Sequence, residues 1–183
     1  MDQQQMDQKP TGQQMDRCRR GKMGACIYHA LVEILGKKQA PTKRELNEEI
    51  LKTYQIHVRT EPDLLMEDCG RKNDTWCLMA VERAIRKKHG QQVILQRRGN
   101  QLKESKNDQL IIGTLNRQYK HTDGSGWVDD GLSNWEWCHA IAVSGSAVYD
   151  TSHPEGLPLQ VLTRPTNRYL DPIITVYDVI KKR

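Results

Sequence analysis

Cys26 stands where a small-residue, glycine-containing turn, GKMGA, passes into the apolar run CIYHALVEIL. Ile27, Ala30, Leu31, Ile34 and Leu35 recur at helical spacing, which predicts a helix beginning near Ala25 or Cys26. A cysteine in the first turn of a helix meets unpaired backbone N–H groups and the positive end of the helix dipole. Both favour an anion, so this is where a thiolate nucleophile belongs. A lone cysteine is equally at home as a small core residue. What separates the two is company: a nucleophilic thiol needs a base within hydrogen-bond reach, and the base needs a third group to hold its tautomer.

His139 and Asp150 are the candidates for those roles. Both lie in CHAIAVSGSAVYDTS, which reads as a β-hairpin turning at Gly145-Ser146, with glycine first as a type II′ turn prefers. Counting outward from that turn, Ser144 opposes Ala147, Ala142 opposes Tyr149, Ile141 opposes Asp150 and His139 opposes Ser152. Residues opposite one another share a face, as do residues two apart along a strand, so His139 and Asp150 become diagonal neighbours on one face, roughly 7 Å apart along the backbone. A three-residue turn would place Asp150 on the other face, so the inference rests on the register. His29, three residues beyond Cys26, reads as a packed or hydrogen-bonded helix histidine, and His57, His89, His121 and His153 have no partner that spacing names. No C-x-x-C or H-x-x-x-H pair occurs, so the residues suggest neither a metal site nor a cofactor.

The elements that must position these residues follow in order. Residues 1–16, MDQQQMDQKPTGQQMD, are polar and glutamine-rich, too poor in apolar side chains to fold, and read as a disordered leader before a catalytic domain over 17–183. After the Cys26 helix, TKRELNEEILKTY fits a second amphipathic helix capped by Thr42, expected to form an antiparallel hairpin with the first. The stretch from Gln55 to Gly70 is hard to assign. NDTWCLMAVERAIRKKHG reads as a third helix, with Asp74 or Thr75 as N-cap, Trp76, Met79, Ala80 and Ile85 near one face, basic residues in the last turn and Gly90 as the stop. QQVILQ, QLIIGTLN, HAIAVSG, AVYDTS and PIITVYDVI then read as short strands bounded by turn residues. Helices first and an antiparallel sheet second predict an α+β domain with the Cys26 helix packed on the sheet. A long polar loop, YKHTDGSGWVDDGLSN, stands directly before the His139 strand, and loops of that length are usually functional or disordered.

With 183 residues the chain suits one well-buried core. A net charge of +5 and a pI near 9.0 permit contact with nucleic acid or anionic surfaces. The basic residues are nevertheless scattered in short clusters such as Arg86-Lys87-Lys88, which suit a solvated face better than a phosphate track. Five cysteines without a signal-peptide pattern suggest a reducing compartment, the cytosol or nucleus. No apolar run is long enough to span a bilayer, and the expectation is a soluble monomer without a membrane partner.

Together these segments resemble the Josephin-type cysteine proteases, which cleave ubiquitin conjugates. CIYHALVEIL is similar to that family's nucleophile motif, a cysteine, two residues, then His-Ala-Leu and a continuing apolar helix. PTKRELNEEIL resembles the Thr-initiated second helix, NDTWCLMAVERAI the third, and QLIIGTLN an apolar strand. HAIAV from His139 resembles the strand that carries the catalytic histidine, and YDTS at Asp150 the Asp or Asn followed by Ser. The likeness is spread in order over most of residues 17 to 180.

The resemblance implies a papain-like fold, a thiol isopeptidase with a Cys26, His139 and Asp150 triad, and ubiquitin or ubiquitin-like conjugates as partners. A tail carrying arginines before a terminal Gly-Gly would suit a groove of acidic and small residues. Asp129, Asp130 and Glu136, in or beside the loop that precedes His139, would serve that purpose, and Glu61, Asp63, Glu67 and Asp68 form a second acidic patch. Two departures stand out. Where the family places an oxyanion-stabilising glutamine, about five residues before the nucleophile, this chain has Gly21 between Arg20 and Lys22, which would have to supply positive charge instead. Ala140 stands where the family usually has an aromatic residue. The alternatives are a papain-like peptidase acting on another protein, a catalytically weak pseudoenzyme, or a basic binding module for nucleic acid or ubiquitin.

Overall fold

The computed structural model describes residues 24–54, 74–116, 118–119, 138–150 and 153–182. The polar leader, Gln55–Gly70 and, apart from its first residue Tyr119, the loop before His139 lie outside the described residues. Three helices come first: α1 (Gly24–Leu35), α2 (Lys43–Tyr54) and α3 (Asp74–His89). Six strands follow, β1 (Val93–Arg97), β2 (Asp108–Leu115), β3 (Cys138–Ser144), β4 (Ala147–Asp150), β5 (His153–Pro158) and β6 (Leu170–Lys181), with a single-turn helix α4 (Gln160–Thr163) before the last. They form one sheet, ordered β1-β6-β2-β3-β4-β5, and its strand pairs are antiparallel. The protein is therefore an α+β fold with its N-terminal helices packed on a six-stranded antiparallel sheet. No helix among the described residues is long and apolar enough to cross a membrane.

Local chemistry explains the element ends. Thr42 and Glu45 form a reciprocal cap: the Glu45 N–H donates to Thr42 Oγ1 at 3.1 Å and the Thr42 N–H to Glu45 Oε2 at 2.7 Å. That bond to the Thr42 backbone is the main reason the Glu45 carboxyl is held below its ordinary range. Helix α3 ends where the Gly90 N–H donates to the Arg86 carbonyl at 2.8 Å.

Ile27, Ala30, Leu31 and Ile34 of α1 are buried against the sheet, with Leu35 packed at the margin. Their cluster includes Leu110, Ile112, Ala140 and Ala142, while Ile111, Ile141, Val143 and Val148 belong to a second cluster with Tyr119, Val161, Leu162 and Tyr169. This alternation along β2 and β3 is what a sheet covered on both faces requires.

Several expectations change. The first helix begins at Gly24, one to two residues early. Helix α2 packs mainly on α3 rather than folding back along α1 as a hairpin; Lys87 and Lys88 of α3 reach Glu49 and Glu45 of α2 at 3.3 and 3.1 Å. Met79 is 50% exposed, because the buried stripe of α3 runs through Leu78, Val81, Ala84 and Ile85. β5 and α4 were not expected: HPEGLP carries two prolines and no alternation, and it pairs as an edge strand, where proline is tolerated.

Candidate active site

Helix α1 places Cys26 in its first turn, buried at 7% exposure. Pairing of β3 with β4 stops at Ala142 and Tyr149, so the N–H of Ala140 is left over, and it donates to Cys26 Sγ at 3.2 Å. That bond holds the sulfur against the start of β3, beside His139.

The β3–β4 hairpin has the expected register, Ser144 opposite Ala147 and Ala142 opposite Tyr149, with Gly145 at a φ of 59°. A positive φ at that turn position is open to glycine without steric cost. Three residues before Ala142 and one after Tyr149, the diagonal closes: His139 Nε2 and Asp150 Oδ2 lie 2.8 Å apart, with both side chains almost fully buried. His139 Nδ1 is buried without a hydrogen-bond partner among the described residues. With Nε2 turned to Asp150, Nδ1 is the ring atom left for the Cys26 sulfur. Burial pulls the His139 pKa down, but the Asp150 charge and hydrogen bond, then the hydrogen bond and charge of Cys26, raise it well above the ordinary imidazole range.

Behind Asp150 stands Tyr169, which is fully buried and donates its hydroxyl to the same Oδ2. His153 Nδ1 lies 3.4 Å from that hydroxyl. Spacing did not reveal Tyr169. A buried tyrosine needs a partner for its hydroxyl, but nothing in NRYLDP names an aspartate 19 residues away.

A cleft of about 360 Å³ opens beside the sulfur, lined by Cys26, Ala30, Glu33, Ala140, Tyr149 and Pro154 among others. His29 also lines it and is exposed rather than packed; burial, then the Lys43 charge, lower its pKa, opposed by Asp150. The residues expected to serve the oxyanion, Arg20 and Lys22, and those expected to bind substrate, Asp129, Asp130 and Glu136, lie outside the described residues, as do Glu61, Asp63, Glu67, Asp68 and Ser152. Among the described residues, no three His, Cys, Asp or Glu side chains cluster as a metal site. The structure thus brings three of the expected residues together: a thiol in a helix's first turn, held by the Ala140 N–H, an imidazole on the neighbouring residue His139, and the Asp150 carboxylate bonded to that imidazole. Such a set can carry nucleophilic acyl transfer. Comparison with known protein families, characterised proteins and solved structures found no match.

Proposed function

We propose that the protein is a papain-like thiol hydrolase that cleaves the peptide or isopeptide bond after a ubiquitin-like C-terminal tail. The observation that carries the chemistry is the 2.8 Å contact between His139 Nε2 and Asp150 Oδ2, which leaves Nδ1 to the Cys26 sulfur. Against the pull of burial, the Asp150 charge and hydrogen bond raise the His139 pKa and so favour the imidazolium, and a positive charge beside sulfur is the setting in which a cysteine reacts as thiolate.

The sulfur attacks the carbonyl carbon. The tetrahedral intermediate collapses as His139 Nδ1 gives its proton to the leaving amine, and a thioester remains on Cys26. Water then attacks the thioester with neutral His139 as base, releasing the carboxylate and restoring the thiolate–imidazolium pair. Asp150 fixes the ring orientation throughout. The Cys26 backbone N–H serves as one oxyanion donor, and Arg20 or Lys22 supplies charge where Gly21 cannot.

The choice of substrate is supported by the family resemblance. It is also supported by the cleft: Ala30 and Ala140 beside the sulfur admit a narrow chain, and Glu33 offers an acidic group to a basic tail. Ubiquitin carrying a C-terminal electrophile tests the reading. Covalent capture at Cys26, lost in Cys26→Ala, is expected; a Cys26 that reacts with a small alkylating agent but not with this probe would redirect the search to another protein substrate.

A further inference from the structure

Asp150 ends β4, and its Oδ2 meets His139 Nε2 at 2.8 Å. Tyr169 supplies a second point of attachment from a distant part of the chain. Its backbone is fixed on both sides: the Tyr169 N–H donates to the Val161 carbonyl at 2.7 Å, and the Asn116 N–H donates to the Tyr169 carbonyl at 3.2 Å. The ring packs edge-on against Tyr119, with centroids 4.9 Å apart, and against His153 at 5.8 Å. The hydroxyl is therefore a fixed donor, and it selects Oδ2, the oxygen that His139 Nε2 also meets.

We propose that Tyr169 is a positioning residue of the catalytic site, holding Asp150 Oδ2 in line with His139 Nε2 and moderating the charge that this oxygen presents to the imidazole. The inference rests on the reading of Cys26 and His139 as nucleophile and base. A donor shared on one carboxylate oxygen has two consequences. It opposes rotation of the carboxylate away from His139, and it draws off part of the negative charge that attracts the imidazolium. The titratable and charged groups around this point are His139 and Cys26, His153 of β5, and His29 and Lys43, whose interactions reach the same site from α1 and α2.

The test is the pH dependence of Cys26 alkylation by iodoacetamide in the full chain, read by mass spectrometry of the Cys26 peptide. The alkaline limb that disappears in His139→Asn reports loss of the imidazolium proton. Tyr169→Phe keeps the ring packing and removes only the hydroxyl. The Asp150 oxygen then attracts the imidazolium more strongly, and the limb moves to higher pH by about half a unit or more. Replacing Tyr169 with 3-fluorotyrosine, a stronger hydrogen-bond donor of nearly the same shape, moves it the other way. A tyrosine that merely fills space would leave the limb where it is.

Superimposable limbs in wild type and both folded variants overturn the proposal. Should Tyr169→Phe fail to fold, the 3-fluorotyrosine protein decides alone, a lowered limb supporting the role and an unmoved one ending it. A wild-type profile without a His139-dependent limb overturns the Cys26–His139 pairing and, with it, the role of Tyr169. That result is distinct from a limb that is present but insensitive to Tyr169.

Discussion

The Ala140 N–H donates to Cys26 Sγ at 3.2 Å, although 114 residues separate the two. Because Ala140 directly follows His139, the bond registers the helix that carries the thiol against the strand that carries the imidazole. Cys26→Ala removes this sulfur and little packing volume. Turnover is expected to fall at least about a thousandfold, with the melting temperature shifted by only a few degrees. Hydrolysis of a fluorogenic ubiquitin amide beside a thermal melt checks both, and near-wild-type turnover would dispose of the mechanism.

Asp150 accepts from two buried donors, His139 Nε2 and the Tyr169 hydroxyl. An asparagine carbonyl can still accept from both, whereas alanine removes the acceptor they share, at about 1–3 kcal/mol for a buried group left unsatisfied. Asp150→Asn should therefore keep much more activity and stability than Asp150→Ala. Equal kcat/KM in the two variants would mean that another residue orients His139.

His139 also makes stability depend on pH in a direction that can be worked out. Its folded pKa lies well above the 6.5 of an unperturbed imidazole. The folded state thus binds the proton more tightly than the unfolded one, and the stabilisation is fully present below about pH 6.5. It is lost as pH rises from there through the folded pKa. His29, with a lowered pKa, acts in the opposite sense, losing its contribution as pH falls. The quantity to measure is therefore the difference in unfolding free energy between wild type and His139→Asn. It should shrink as pH rises above about 6.5, and a difference that is flat or grows would contradict the charged pair.

The parts of this arrangement that could be read from the chain are those set by short-range rules. The two-residue turn at Gly145-Ser146 determines the β3–β4 register, and the register brings His139 to Asp150. Thr42 followed by Glu45 marks a helix start, and Gly90 marks a helix end. What stayed hidden depends on contacts between distant segments. Tyr169, just before β6, meets Asp150 only because its backbone is tied to Asn116 at the end of β2 and to Val161 of α4, which are remote from Asp150 in the chain. The partner of α2 and the exposed side of α3 at Met79 were set by helix packing, which apolar spacing constrains only loosely.

Gly113 lies opposite His139 across the β2–β3 ladder, at a shift in the β2–β6 register. A Cβ there would come within 2.8 Å of the Pro172 carbonyl oxygen and 3.2 Å of Leu170. Both neighbours belong to β6, and a backbone carbonyl cannot swing aside as a flexible side chain can. Gly113→Ala should therefore destabilise the fold by about 1–3 kcal/mol, as overpacking does, and disturb the strand on which His139 sits. A denaturant midpoint equal to wild type would show that β6 gives way without cost.

The last expectation concerns the segment before Cys26, where the resemblance and the residues part. If Gly21 holds the position of the oxyanion glutamine, the site lacks a side-chain amide there, and Gly21→Gln should raise kcat with little change in KM, because an oxyanion donor acts chiefly on the transition state. A missing donor of this kind typically lowers turnover about a hundredfold, which sets the scale of the possible gain. Arg20 and Lys22 decide how much of it is open. If one of them already places its charge at the oxyanion, Gly21→Gln will be neutral. Replacing that basic residue with alanine will then lower turnover while leaving the alkylation rate of Cys26 unchanged, since alkylation forms no oxyanion. An active enzyme indifferent to all three changes would take its donor from elsewhere in the chain, and Gly21 would not then correspond to the family's glutamine.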